Sequence, residues 1–143
     1  MIRINRIAAI GLPIAALGLV VAACQPQVLP HPSDALTPAE VEELFVGKTA
    51  IGTVQGRRAA TYFAPDGTAR LKVIGHNGTI VEFDGTHYFN EQGASCVNFP
   101  TLPIYGKDRC NHIVPLDDGR YQQSYDEGIT ERILEGNRLD ELK

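Results

Sequence analysis

The sequence has no tryptophan, one methionine and three cysteines in 143 residues, and its aromatic content is 7%. No Gly-rich phosphate loop, dinucleotide fingerprint or HExxH pair is present, which excludes the nucleotide and zinc chemistries those motifs carry. Serine occurs only at Ser33, Ser95 and Ser124, none of them in a GxSxG elbow. Cations are outnumbered, 13 Lys+Arg against 17 Asp+Glu for a formal charge of −4. A phosphate-tracking surface needs a basic stripe, so nucleic acid is excluded as a partner. The length allows one small domain, and 43% hydrophobic residues suffice for its core.

What the chain does have begins with an address. Arg3 and Arg6 precede 17 uncharged residues, 7–23. That is short for a bilayer-spanning helix, which needs about 20 apolar residues, and Gly11, Pro13 and Gly18 weaken it further. Residues 1–23 therefore read as an export signal rather than as part of the fold. The signal takes two of the 13 cations and none of the 17 acids with it, leaving a formal charge of −6. Such a domain is repelled by anionic head groups and should stand off from a membrane surface.

Val21-Ala22-Ala23-Cys24 resembles the lipobox of bacterial lipoproteins. The resemblance implies cleavage before Cys24 and acylation of its thiol and new amino group. Several acyl chains anchor stably where one binds marginally. Gln25 stands where an Asp resembles an inner-membrane retention signal, so the implied location is the outer membrane, facing the periplasm. Residues 24–36 then form a lipidated Cys and a Pro-rich tether, carrying Pro26, Pro30 and Pro32.

With Cys24 lipidated, Cys96 and Cys110 remain as an even pair in an oxidising compartment, which points to one disulfide. The rival is a metal or redox thiol pair, but the spacing is not CxxC and no His completes a zinc pattern.

Residues 37–143 read as the folded domain. Thr37, Pro38 and Glu40 make a capping box with Pro at the first helical position, and Gly47 ends the helix. Val41, Leu44 and Phe45 share its apolar face. From Lys48 onward, short alternating runs are expected as strands at 49–54, 59–64, 69–74, 79–83, 86–90, 94–99, 109–114, 120–125 and 129–134. Between them stand Gln55-Gly56, Pro65-Asp66-Gly67, Asn77-Gly78, Asp84-Gly85, Asp118-Gly119 and Glu127-Gly128, residues that suit hairpin turns. The expected fold is mainly β: a small antiparallel up-and-down barrel or curved meander of about eight strands, preceded by one short α-helix that plugs an end. A two-sheet sandwich is the alternative.

Leu44-Phe45-Val46-Gly47, Tyr62-Phe63-Ala64-Pro65-Asp66-Gly67-Thr68, Cys96-Val97-Asn98-Phe99, Cys110 and Asp118-Gly119-Arg120-Tyr121 follow an order that resembles small exported bacterial β-meander proteins of unknown function. Tyr88 and Phe99 stand where such proteins tend to have Trp. The resemblance implies a barrel-like fold and brings no known activity with it.

No catalytic residue, cofactor or metal site is expected. His31, His76, His87 and His112 are scattered without chelating spacing. Asp117-Asp118 and Asp126-Glu127 are placed in turns, where Asp serves the backbone. The loop 100–107 carries Pro100 and Pro103 and is bracketed by the two cysteines. Its Tyr105 and Lys107, with Arg57 and Arg58 in the first hairpin, are the candidate contact points. The leading expectation is a non-enzymatic, monomeric envelope lipoprotein whose β-domain binds or supports an envelope protein, in its more specific form by inhibiting a hydrolase. The alternative is a lipocalin-like carrier of a small apolar ligand, since eight strands can enclose one ligand. A hollow barrel would favour the carrier and a filled one would remove it.

Overall fold

A computed structural model describes residues 32–102, 107–124 and 128–143. The export signal, Cys24, His31, most of the tether, Tyr105, Tyr125 and the pair Asp126-Glu127 lie outside the described residues.

The helix α1 spans Pro38–Phe45. Thr37 caps it as its side chain accepts from the Glu40 N–H, and the Glu40 carboxylate accepts from the Thr37 N–H at 2.8 Å. Both orphan donors are thereby satisfied. Gly47, at φ +75°, turns the chain out of the helix into a conformation that costs glycine least. Leu36, which the sequence reading leaves at the end of the tether, already belongs to the fold. Its N–H donates to the Ile113 carbonyl at 2.8 Å, and its side chain packs on the cluster around Val41 and Phe45.

Nine strands follow: β1 Lys48–Val54, β2 Arg57–Phe63, β3 Thr68–Ile74, β4 Ile80–Phe89, β5 Ser95–Asn98, β6 Arg109–Asn111, β7 Ile113–Pro115, β8 Tyr121–Gln123 and β9 Ile129–Glu135. They form one antiparallel sheet in the order β6-β5-β4-β3-β2-β1-β9-β8-β7. The two edge strands, β6 and β7, are consecutive in the chain and separated only by His112. One kinked segment thus passes from β5 to β8, and the sheet curls into a nearly closed barrel. At the kink, the His112 N–H donates to Ser124 Oγ at 3.0 Å and the Ser124 N–H donates to the His112 carbonyl at 3.1 Å. Closure of this kind leaves little unpaired edge to recruit another chain.

One expected turn is absent. Residues 79–83 and 86–90 form a single strand, β4, that runs straight through Asp84-Gly85. Gly85 does not serve a positive φ; a Cβ there would stand 2.1 Å from the Asn98 carbonyl oxygen and 2.6 Å from the Phe99 ring. It is a site of close approach between neighbouring strands, a use of glycine that mimics a turn signal in sequence.

Burial alternates at the start of β3, where Ala69 and Leu71 are buried and Arg70 is exposed, whereas in β2 Ala59 and Phe63 are buried inside and Ala60 is buried on the other face. In β9 a bulge breaks it. Ile51 pairs with Arg132 and Gly52 with Thr130, so Glu131 is left over. Thr130 is buried within the barrel while Glu131 reaches Arg58 at 2.5 Å on the outside.

The barrel ends differ. Val41 and Phe45 of α1 meet Phe63 and Ile113 and close one end. The His87 ring packs edge-on to Phe63 and, through Nε2, donates to the Ala64 carbonyl at 2.7 Å. On the outer face, Leu139 and Leu142 of the C-terminal segment cover Ile51 and Ala60.

Candidate functional site

The barrel is hollow. A cavity of about 380 Å³ occupies its interior, within the usual range of roughly 300–1,000 Å³ for small-molecule sites. Its origin is visible residue by residue. The wall made by β1, β2 and β9 presents small side chains: Ala50, Gly52, Ala59, Thr61 and Thr130. Gly52 and Ala59 are direct cross-strand partners, so two of the smallest residues coincide. The facing wall from β3 to β5 presents Leu71, Val73, Phe83 and Val97, with Phe99 just beyond. Ala59 packs in one cluster with Leu71 and Phe99, and Val73, Phe83 and Val97 pack against it, so the large residues fill part of the interior and the remaining space lies along the small residues.

Phe45 and Phe63 lie at the closed end of this space, with Ser95 and Asn111 opposite each other nearby. The other end is lined by Gln55, Arg57, Gly75, Val81, Leu102 and Ile129. These belong to the hairpins and loops opposite the helix, an end that no helix covers among the described residues and that is taken as the mouth. Val81 and its neighbour Ile80 are exposed large apolar residues. Leu36 and α1 stand at the closed end, so the mouth lies at the opposite end from them.

The structure separates Arg57 from Arg58. Arg57 lines the mouth, and its Nη2 is 2.6 Å from His76 Nε2 across the tips of two hairpins. A guanidinium can only donate, so the imidazole nitrogen accepts. Arg58 points outward to Glu131. Lys107 is exposed, and the described part of its loop reaches the same end of the barrel, with Leu102 facing the cavity. Arg57 and Lys107 therefore belong to the same end of the barrel. Tyr105 is outside the described residues.

Cys96 and Cys110 are cross-strand partners joined in a disulfide, with Cα atoms 4.0 Å apart. Beside them on the outer face, the exposed Tyr88 hydroxyl donates to Asp108 at 3.0 Å, and that hydrogen bond to a carboxylate raises the phenol above its usual range. Among the described residues, no group of three His, Cys, Asp or Glu side chains is placed to hold a metal ion, and no helix is long and apolar enough to cross a membrane.

Sequence reasoning missed the cavity-forming role of Gly52 and Ala59 and the roles of Gln55 and His76. The run of small inward residues on β1 and β2 is the signal that was there to be read. The pairing of Arg57 with His76 has none, because it joins turns 19 residues apart. Neither a family model nor a curated protein matches the chain. What fold and site define is a small up-and-down β-barrel, plugged by the helix at one end, with a cavity that among the described residues reaches the other.

Proposed function

We propose that this is a non-enzymatic, envelope-located binding domain that holds one small, largely apolar ligand inside its barrel, tethered through lipid on Cys24. The cavity carries the reading. An apolar space open at one end, with a few polar groups at its ends, is the usual form of a ligand site. The lipid anchor rests on the Val21-Ala22-Ala23-Cys24 resemblance, and the export it implies agrees with the joined Cys96 and Cys110.

The test uses the full chain and the neutral apolar probe N-phenyl-1-naphthylamine. Wild type is expected to enhance its fluorescence saturably. Ala59→Phe, which places a ring in the cavity, is expected to lose that response while remaining folded. Equal probe binding by both proteins would remove the cavity as the site. The contact reading, with Tyr105 and Lys107 meeting an envelope protein or entering a hydrolase cleft, draws on the loop's place beside the mouth. A double change of both to Ala that abolishes capture of an envelope protein, with probe binding intact, would favour it.

A further inference from the structure

We infer that the ligand is a single-chain amphiphile with an anionic head, its tail in the barrel and its head at Arg57. This rests on the cavity reading and adds the ligand's charge and its direction of entry.

The first observation is the company Arg57 keeps. Lys48, Arg58, Arg70, Lys72, Arg120 and Arg138 each have a carboxylate within 4.0 Å. Arg57, like Lys107, Arg132 and Lys143, has no carboxylate partner among the described residues; it meets an imidazole instead, and it alone of these four lines the cavity. In a chain with four more acids than cations, the guanidinium at the mouth keeps its planar fork available for an incoming anion. That fork matches carboxylate and phosphate oxygens two at a time.

The second observation is a strained neighbour. Gln55 has φ +50° and precedes Gly56 at φ +73° in the β1–β2 hairpin. Such a turn favours Asn or Gly, and Gln tolerates it poorly. Strain of this sort gathers at ligand clamps. Gln55 is also a cavity-lining residue, two positions before Arg57 in the same hairpin, so both stand at the end where a head group would be.

The third is the shape of the space. Behind Arg57 the walls are mostly apolar, Ala59, Leu71, Val73 and Phe99 with Thr61 and Thr130 among them, and carry no charged side chain, so they suit a hydrocarbon and disfavour a charge. An apolar cavity of about 150 Å³ accepts benzene, so on that scale about 380 Å³ accommodates a chain of a dozen or so carbons. The exposed Ile80 and Val81 at the rim offer the tail an apolar threshold.

Three probes with one tail separate head from tail: dodecanoate, dodecanol and dodecyltrimethylammonium, each titrated below its micelle-forming concentration into the full chain. Amide NMR shifts of Leu71 and Phe99 report binding inside the barrel, apart from any uptake by the apolar N-terminus. Dodecanoate is expected to bind about tenfold tighter than dodecanol, the scale of a hydrogen bond to a charged group. Arg57→Gln should bring dodecanoate to the level of dodecanol and leave dodecanol unchanged, and Arg57→Lys should restore part of the difference. An unaltered melting temperature in both variants shows that the fold is intact. Dodecanoate binding no tighter than dodecanol, dodecanoate binding indifferent to Arg57→Gln, or preference for the cationic probe would each overturn the anionic head while leaving the cavity reading in place. If no probe moves Leu71 or Phe99, both readings fall.

Discussion

A Cβ on Gly52 would stand 1.8 Å from the carbonyl oxygen of Ile129, on the strand beside it. The contact is backbone on backbone and coincides with the β9 bulge, so neither side can rotate away. Gly52→Ala is therefore expected to force β1 and β9 apart and to destabilise the domain by about 3 kcal/mol, the upper range for overpacking. Urea unfolding measures it. Wild-type stability in this variant would mean that the bulge can relax and that Gly52 is needed only to keep the cavity open.

The disulfide should contribute comparably. Cys96 and Cys110 are 14 residues apart, and closing such a loop stabilises by about 3 kcal/mol in the chain-entropy model. Replacing both by Ser should lower stability by about 2–4 kcal/mol and loosen the three-residue β6 first. Mass spectrometry of the unreduced protein should find the two thiols joined; two alkylatable thiols would contradict it.

Closure of the barrel depends on Ser124. Removing its hydroxyl leaves the His112 N–H without that acceptor, so Ser124→Ala should cost about 1–2 kcal/mol. Amide exchange should quicken selectively in β6, β7 and β8. Uniform quickening across the sheet would show that the seam is not a separate weak point.

At Gln55 the direction reverses. Asn tolerates the left-handed conformation better than Gln, so Gln55→Asn should stabilise by up to about 1 kcal/mol. If Gln55 is kept for the ligand, the same change should weaken dodecanoate binding. A variant both more stable and equally tight would remove Gln55 from the mouth's function.

Acid should weaken the local caps before it touches the core. Thr37 holds the Glu40 carboxyl below its ordinary 4.5, Thr68 holds Asp66 below 3.8, and Arg120 holds Asp118 below 3.8, in each case by hydrogen bonds to the charged form. For such groups the stabilisation is fully present above the ordinary pKa and is lost as pH falls through the lowered one. Thr37→Val should thus melt below wild type at pH 7, with the gap narrowing below about pH 4. A gap that does not change with pH would mean that the Glu40 charge plays no part in the cap.

Much of this architecture is legible in one dimension because it is local. Thr37, Pro38 and Glu40 specify the helix start through contacts three residues apart, and Asn77-Gly78 and Asp118-Gly119 specify turns through the φ angles glycine permits. Asp84-Gly85 misleads for the same reason: the dipeptide carries the turn signal, while the cause of Gly85 lies on β5, more than ten residues away. Alternation assigns Leu71 and Val73 to the inside, but it cannot place Glu131, because a bulge resets the count.

By itself the sequence determined a short capped helix and a run of hairpins, since each follows from neighbours along the chain. Only the tertiary structure decided that Gly52 and Ala59 coincide on a barrel wall beside a space that Leu71 and Val97 do not fill, and that Arg57 turns into its mouth while Arg58 turns away. The sum of side-chain volumes across a barrel depends on which strands stand opposite. That is set by closure through the kink at His112 and by the β9 register, both made by contacts between residues far apart in the chain.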